Sequence, residues 1–210
     1  GKIALTDPVT ASEAAAAKGG SQIYLKAGET MSVSDMLKSI AVSSANDCAC
    51  AMAEHICGSE SAFVEAMNRR AKELGMQDTH FVNCTGLPAP DHYTTARDVA
   101  KLSAQLDLHP LYYRYSTIWM DEIRHRGGRV TALTNTNRLV RFYPGCDGYK
   151  TGSTNEARYC ISATAKKDGM RLIAVVLGTP AGQTRFDEAR AMLEYGFANV
   201  KLTTPIAQGQ

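Results

Sequence analysis

The chain has 210 residues, of which 44% are hydrophobic and 21% charged, and its formal net charge is +2. These values are typical of a globular domain with a hydrophobic core. The lysines and arginines form no basic stripe interleaved with aromatic residues, which argues against nucleic-acid binding. No apolar run is long enough to span a bilayer, and the first residues lack the pattern of a signal peptide.

The six cysteines do not have the spacing of a disulfide scaffold. Three of them fall in one apolar segment, and Cys48-Ala49-Cys50 matches neither a zinc knuckle nor a thioredoxin motif. We predict buried free thiols that pack as small hydrophobic groups, and leave open whether any of them pair. The five histidines form no ligand cluster, so we predict no metal and no cofactor.

The first half of the chain is predicted to be helical. Ser32 and Asp35 have the spacing of a capping box and open a helix that breaks at Ser44. Asn46 and Asp47 can cap a second, buried helix over residues 48–56, and a third helix is predicted over residues 61–74. A second capping box at residues 95–98 opens a fourth helix that stops before residue 110.

The last third of the chain changes to strands. Residues 145–154 and 158–165 are predicted strands, and a turn with Asp168-Gly169 leads into an apolar strand over residues 170–177, which we expect to be buried on both faces. Thr184 is predicted to cap a final helix with an apolar stripe. The fold class is therefore α+β, a helical region followed by an antiparallel sheet. Residues 201–210 have the composition of a linker.

Two short motifs carry the chemistry. Ser44-Ala45-Asn46 lies in the predicted loop between two helices, and Lys150-Thr151-Gly152 lies on a predicted strand, 106 positions later (150 − 44). A lone Ser-x-Asn is usually a helix cap and a lone Lys-Thr-Gly is usually a strand end. Together they match two of the three active-site motifs of β-lactamases and penicillin-binding proteins, of which the third is Ser-x-x-Lys.

Flanking segments extend the match over most of the chain. They are Gly28-Glu29-Thr30-Met31-Ser32-Val33, Leu74-Gly75-Met76, Thr79-His80-Phe81, Gly86-Leu87 and Asn135-Thr136-Asn137. With these the chain resembles the D-alanyl-D-alanine carboxypeptidases, low-molecular-mass penicillin-binding proteins of the peptidase S11 family. The resemblance implies a penicillin-binding/β-lactamase-like serine peptidase fold, with residues 1–200 as a partial catalytic domain and 201–210 as the start of a linker to a C-terminal domain.

The resemblance also implies a reaction and its partners. A serine would attack the bond between two terminal D-alanines of a peptidoglycan stem peptide, forming an acyl-enzyme that water hydrolyses, and β-lactams would inhibit it. The expected location is the cell-wall side of the bacterial membrane. Membrane anchoring would require C-terminal segments outside this sequence, and no nucleic acid is involved.

The family roles map onto this sequence residue by residue. Ser44 would pass a proton toward the leaving amine, and Asn46 would hold a substrate carbonyl. Lys150 would supply positive charge. The remaining substrate-binding residues lie on the same strand and on the last helix: Thr151 and Thr154, with hydroxyls on one strand face, Gly152, which admits substrate backbone, Ser153, whose N–H would serve the oxyanion hole, and Arg185. For Arg185 a salt bridge on the helix surface is an equal alternative.

No serine in the sequence has a lysine three positions later, so Ser-x-x-Lys is missing. We expect a fragment truncated at both ends, without the first strands and the nucleophile helix, and inactive by itself. A non-catalytic peptidoglycan- or penicillin-binding pseudo-enzyme is the alternative. A class A β-lactamase is disfavoured, because no Glu-x-x-Leu-Asn stretch lies between Asn46 and Lys150.

Overall fold

The structure, a computed structural model, describes residues 3–203. Its helices are α1 (Glu13–Ala16), α2 (Val33–Ser43), α3 (Asn46–Cys57), α4 (Glu60–Glu73), α5 (Ala96–Leu106), α6 (Tyr113–Ser116), α7 (Leu139–Phe142) and α8 (Gly182–Asn199), with a 3-10 turn at Pro110–Tyr112. Its strands are β1 (Pro8–Thr10), β2 (Thr30–Ser32), β3 (Met120–Arg124), β4 (Val130–Thr134), β5 (Cys146–Thr154), β6 (Arg158–Lys167) and β7 (Met170–Thr179).

The first half is built on α2 and α3. Ser32 caps α2 as predicted, since its Oγ accepts a hydrogen bond from the Asp35 N–H at 3.1 Å. The helix ends at Ser44, which adopts a left-handed conformation with φ 60°. A hydrophobic core joins these helices to the small antiparallel sheets β1–β2 and β3–β4; its fully buried side chains include Val9, Ile23, Met36, Val42, Ile123 and Leu133.

The predicted cap of α3 is wrong. The helix begins at Asn46 with Ala45 as its N-cap, and no side chain caps it. The Asp47 carboxylate accepts the Cys48 N–H at 2.9 Å, and it also reaches the loop before β2, where it accepts hydrogen bonds from the N–H groups of Ile23 (3.2 Å) and Leu25 (3.0 Å). Because this loop has no regular secondary structure, its buried N–H groups lack backbone acceptors, and the Asp47 carboxylate accepts their hydrogen bonds.

The second half is an antiparallel sheet in the order β5-β6-β7, covered by α8 on one face and by α5 on the other. The sheet face toward α8 and the apolar stripe of the helix form a second core, with Ile161, Ala163, Val176, Phe186, Ala189 and Leu193. On the opposite face, the hydroxyls of Ser103 on α5 and Ser162 on β6 hydrogen bond at 2.7 Å. The predicted antiparallel sheet with a packed helix is present.

Two details of this half differ from the expectation. Helix α8 begins at Gly182 with Ala181 as its N-cap, three residues before the expected cap Thr184. Strand β7 is not wholly buried, since Leu177 is 37% exposed. Within residues 3–203 this strand pairs only with β6 and forms an edge of the sheet, which explains its partial exposure.

Among the helices of residues 3–203, none combines the length and the hydrophobicity that a membrane span requires. The expected linker lies mostly outside the described residues, since 204–210 are not described.

The role of Asp47 can be measured by stability. We expect Asp47→Ala to lower the free energy of unfolding by about 2–4 kcal/mol, because it leaves buried N–H donors of the loop without an acceptor. Glu65→Ala, which removes an exposed carboxylate on α4, should change it by less than about 0.5 kcal/mol. Urea denaturation of the two variants makes the comparison, and equal losses would contradict the anchoring role.

Candidate active site

The two motifs meet in one cleft of about 360 Å³. It lies between the junction of α2 and α3 on one side and the free edge of β5 on the other. All the residues singled out from the sequence line it: Ser44, Asn46, Lys150, Thr151, Gly152, Ser153, Thr154 and Arg185. Positions that are 106 residues apart in the chain therefore face a common space, which is large enough for the end of a peptide.

Ser44 enters this cleft from the turn between two helices. Its N–H donates to the Ile40 carbonyl at 3.1 Å and closes the last turn of α2. Its left-handed backbone is uncommon for a residue with a side chain, and such positions cluster at functional sites. The turn presents a half-buried hydroxyl beside the first residues of α3.

Asn46 is held firmly from the neighbouring loop. Its backbone N–H donates to the Ser21 carbonyl at 2.7 Å, and its side-chain Nδ2 donates to the Gly19 carbonyl at 2.8 Å. The second amide hydrogen of Nδ2 has no protein partner among residues 3–203. Gly20 has φ +78°, and a Cβ there would lie 2.7 Å from Asn46 Nδ2. The close approach explains why the loop has a glycine at this position.

Lys150 makes the cleft electropositive. Its Nζ donates to the Thr151 carbonyl at 2.8 Å, and no carboxylate in the described part of the chain forms a salt bridge with it. Burial, together with the positive charge of Arg185, lowers the pKa of Lys150 to about 8. A half-buried ammonium without a counter-ion favours an anionic ligand, since a carboxylate would relieve this penalty.

The strand that carries Lys150 offers an open edge, because β5 pairs only with β6 among the described strands. From Gly148 to Thr154 its register runs without a bulge, so side chains alternate between the faces of the sheet. Our expectation that Thr151 and Thr154 share one face is therefore wrong. Both still line the cleft, which follows the strand edge, although Thr154 Oγ1 also accepts the Ala157 N–H at 2.9 Å.

Arg185 sits against the sheet and not in a surface salt bridge. Its Nη1 donates to the Gly152 carbonyl at 3.0 Å, and the guanidinium carbon lies 5.5 Å from the centre of the Tyr159 ring and 4.7 Å from that of Phe186. Its buried Nε has no hydrogen-bond partner within residues 3–203. The arginine thus adds positive charge to the Lys150 side of the cleft.

Sequence reasoning assigned no role to several residues that line the cleft. They are Gly20, Ser21, Thr85, Gly86, Leu87 and Thr136. Thr136 has a buried hydroxyl without a partner in the described chain, and its N–H donates to the Val42 carbonyl at the end of α2. The only feature of the sequence that could have indicated Thr136 as a cleft residue is its place in the flanking segment Asn135-Thr136-Asn137. Within residues 3–203, no group of three or more acidic, cysteine or histidine side chains has the arrangement of a metal site.

A cleft between a helical region and a sheet edge, with Ser-x-Asn on one wall and Lys-Thr-Gly on the other, is the arrangement of the penicillin-recognising serine peptidases. Comparison with known proteins narrows this class. The sequence model of the Peptidase_S11 family, described as D-alanyl-D-alanine carboxypeptidase, matches residues 1–181. The chain belongs to this family.

Curated relatives and solved structures support the same family assignment. The chain is 47% identical to D-alanyl-D-alanine carboxypeptidase DacF of Bacillus subtilis (strain 168), over 94% of this chain and 51% of that protein. It is 38% identical to DacC of Escherichia coli (strain K12), over 98% and 52% respectively. The chain thus spans about half the length of these relatives.

The carboxypeptidase DacD of Francisella tularensis superposes with a TM-score of 0.89 at 30% identity, covering 97% of this chain and 62% of that one. Penicillin binding protein 5 of Haemophilus influenzae gives a TM-score of 0.85 at 34% identity, covering 93% and 57%. These superpositions confirm the predicted fold class.

The contact at Gly20 gives a test of how Asn46 is held. Gly20→Ala should lower the free energy of unfolding by about 1–2 kcal/mol more than Gly28→Ala, because its new methyl group collides with Asn46. Gly28 is the matched control, since it also has φ +78° but a Cβ there meets no atom within 4 Å. Chemical denaturation measures the free energy of unfolding of both variants. Equal values would mean that the loop shifts to accommodate the methyl group without a loss of stability.

The lowered pKa of Lys150 predicts a pH dependence of stability. Between about pH 8 and the unfolded value of 10.5, the unfolded state binds more protons than the folded state at this residue. The wild type should therefore gain stability relative to Lys150→Met as the pH rises through this window, and the difference should be constant below it. Urea denaturation at several pH values tests this. A stability difference between wild type and Lys150→Met that stays constant across the window would contradict the lowered pKa of Lys150.

Proposed function

We propose that this protein is the peptide-binding and catalytic part of a serine-type D-Ala-D-Ala carboxypeptidase that trims the terminal D-alanine from peptidoglycan stem peptides. The observation that carries the proposal is the convergence of Ser44, Asn46 and Lys150 on one cleft. Family membership and the names of the relatives support it. The cell-wall side of the bacterial membrane is the proposed location, because the peptidoglycan substrate lies there.

The substrate would bind along the free edge of β5. An extended peptide can pair with the backbone of an open strand, and Gly152 presents no side chain in its way. The terminal carboxylate of the substrate would lie near Lys150 and Arg185, whose charges are uncompensated by acidic residues in the described chain. The hydroxyl of Thr151 would donate to the same carboxylate, whereas Thr154, on the opposite strand face, would line the cleft further along the strand.

On the opposite wall, Asn46 would donate its remaining amide hydrogen to a carbonyl of the substrate, and the Gly19 carbonyl would fix the orientation of the side chain. Ser44 would relay a proton to the departing D-alanine, helped by the positive charge of Lys150. The Ser153 N–H would be one donor to the oxyanion. An acyl-enzyme route also needs a nucleophilic serine with a lysine base, and no Ser-x-x-Lys occurs in these 210 residues.

A non-catalytic binding protein remains the second candidate, and the missing Ser-x-x-Lys is the observation that favours it. The gene upstream of Gly1 separates the two, because an in-frame Ser-x-x-Lys segment supports the enzyme. We propose that residues 1–200 belong to the catalytic domain and that residues 201–210 lead into a linker. β-Lactams are the proposed inhibitors, since they acylate the serine that the peptide would acylate.

The decisive experiment uses labelled penicillin and a peptide that ends in D-Ala-D-Ala. In protein that carries the upstream Ser-x-x-Lys segment, Lys150→Ala should slow acylation on the order of 10²-fold or more, because a preorganised charge is lost. Lys26→Ala, an exposed lysine outside the cleft, should leave the rate unchanged. Equal rates for Lys150→Ala and the wild type would overturn the proposed role.

The 210-residue chain by itself should gain no penicilloyl mass and release no D-alanine, since Ser44 has no lysine base one helical turn away. Intact-mass measurement after incubation with penicillin is the check. A covalent adduct on any serine of this chain would show that its nucleophile lies among these residues.

A further inference from the structure

A cluster outside the proposed reaction surrounds the carboxylate of Glu60, the first residue of α4. Cys84 Sγ donates to Glu60 Oε1 at 3.3 Å, and Cys50 Sγ lies 3.8 Å from Glu60 Oε2 and at the same distance from Glu54 Oε1. Lys18 Nζ forms a salt bridge with the same Oε2 at 2.5 Å. The Cys84 backbone N–H also reaches Oε1, at 3.3 Å. One carboxylate thus gathers two cysteines that lie 34 residues apart (84 − 50).

The two thiols face the two oxygens of one carboxylate, Cys84 at Oε1 and Cys50 at Oε2. The Cys50 thiol is also the largest of the causes that raise the pKa of Cys84, followed by burial and Glu60. Both cysteines are free thiols in this structure, Cys50 fully buried and Cys84 half-buried. Among the described residues no other two cysteines share a hydrogen-bond acceptor; Cys146 and Cys160, for example, donate to separate backbone carbonyls.

The cluster stands directly behind the cleft. Cys50 follows Asn46 by one turn of α3, and Cys84 immediately precedes the cleft-lining residues 85–87. Lys18 begins the loop whose residues 20 and 21 also line the cleft. Leu87 and Gly20 bring these two loops together, since a Cβ on Gly20 would lie 3.5 Å from the Leu87 side chain. Three separate segments of the cleft wall are therefore joined through the Glu60 carboxylate.

We propose that Cys50 and Cys84 are a redox-responsive pair, whose disulfide clamps the loop 84–87 of the cleft wall to helix α3. Formation requires the two sulfur atoms to leave the Glu60 oxygens and approach each other to a bond of about 2.05 Å. Cys84, the more exposed thiol, is the entry point for the oxidant. The cell-wall side of the membrane, if the proposed function holds, is a compartment in which disulfides form.

The oxidant is a small-molecule or protein disulfide. The Cys84 thiolate attacks one sulfur of that disulfide, whose other sulfur leaves as a thiol, and a mixed disulfide results. Cys50 then attacks the Cys84 sulfur and releases the second thiol of the oxidant. The protein loses two protons and two electrons, and the oxidant is reduced to two thiols.

The surroundings favour the disulfide over the dithiol once oxidation has occurred. Burial and the Glu60 carboxylate disfavour a thiolate at Cys84, and a disulfide between thiols of high pKa is a poor target for reduction. The same factors make formation slow. The pair is therefore suited to a lasting change of state in an oxidising environment.

The proposal is tested by oxidising the folded protein with glutathione disulfide, quenching with acid and alkylating the remaining thiols. Two of the six thiols should be lost. Trypsin cleaves after Lys38, Arg69, Lys72 and Arg97, so Cys84 lies alone in peptide 73–97, while peptide 39–69 carries Cys48, Cys50 and Cys57. The two peptides should appear as one cross-linked species.

Matched variants identify the partner within peptide 39–69. Cys50→Ala should abolish the cross-link, whereas Cys57→Ala should preserve it, and oxidation in denaturing urea should lose the preference for Cys50. Hydrogen exchange of residues 85–87 should slow on oxidation of the wild type and not of Cys50→Ala. The proposal is overturned by six unreacted thiols, by glutathione adducts without a cross-link, or by a cross-link that survives in Cys50→Ala. Unchanged exchange in the cross-linked protein would overturn the clamp.

Discussion

The cleft depends on how the start of α3 is bound to the loop in front of it. Asp47 accepts two backbone N–H groups of that loop, and the preceding residue, Asn46, donates to its Gly19 and Ser21 carbonyls. Hydrogen bonds from backbone N–H groups to a carboxylate are among the strongest in proteins. A loop without regular structure therefore has a defined position, and it holds the Asn46 side chain in one orientation.

The anchoring continues beyond the loop. The Ile23 carbonyl accepts from Arg129 Nη1 at 3.0 Å and from the Thr131 hydroxyl at 3.3 Å, both at the start of β4. Arg129 is paired with Glu29, and the buried His125 lies against the same carboxylate. The small β3–β4 hairpin, which carries no residue of the cleft, thus supports the wall that contains Asn46.

The opposite wall is fixed by different interactions. Asn137 Nδ2 donates to the Gly148 carbonyl at 3.1 Å, and Arg171 pairs with Asp147 at 2.8 Å, so the beginning of β5 is held from two sides. Tyr149 stacks on Tyr113 just before Lys150. This rigidity matters because Lys150 and Arg185 are both cationic and lie close enough for the charge of one to lower the pKa of the other. A mobile strand would let the two charges separate into solvent, and the cleft would lose its attraction for anions.

Local chemistry determined much of this protein from its sequence alone. The helix N-caps Ser32 and Thr95, the Asp-Gly turn after β6 and the apolar stripe of α8 depend on neighbours within a few residues, and the structure contains all of them. The motif pair and its flanking segments likewise indicated the family. The errors have a common cause. Asn46 and Asp47 have the chemistry of caps, but they lie inside α3, and their side chains bind tertiary partners 22 to 27 positions away. The burial of β7 depended on a neighbouring strand, which periodicity does not report. Only the tertiary structure decided that Thr136 and the loop 85–87 meet at one cleft and that two thiols gather around Glu60 behind it. Such proximity arises from packing between segments and leaves no pattern within any one of them.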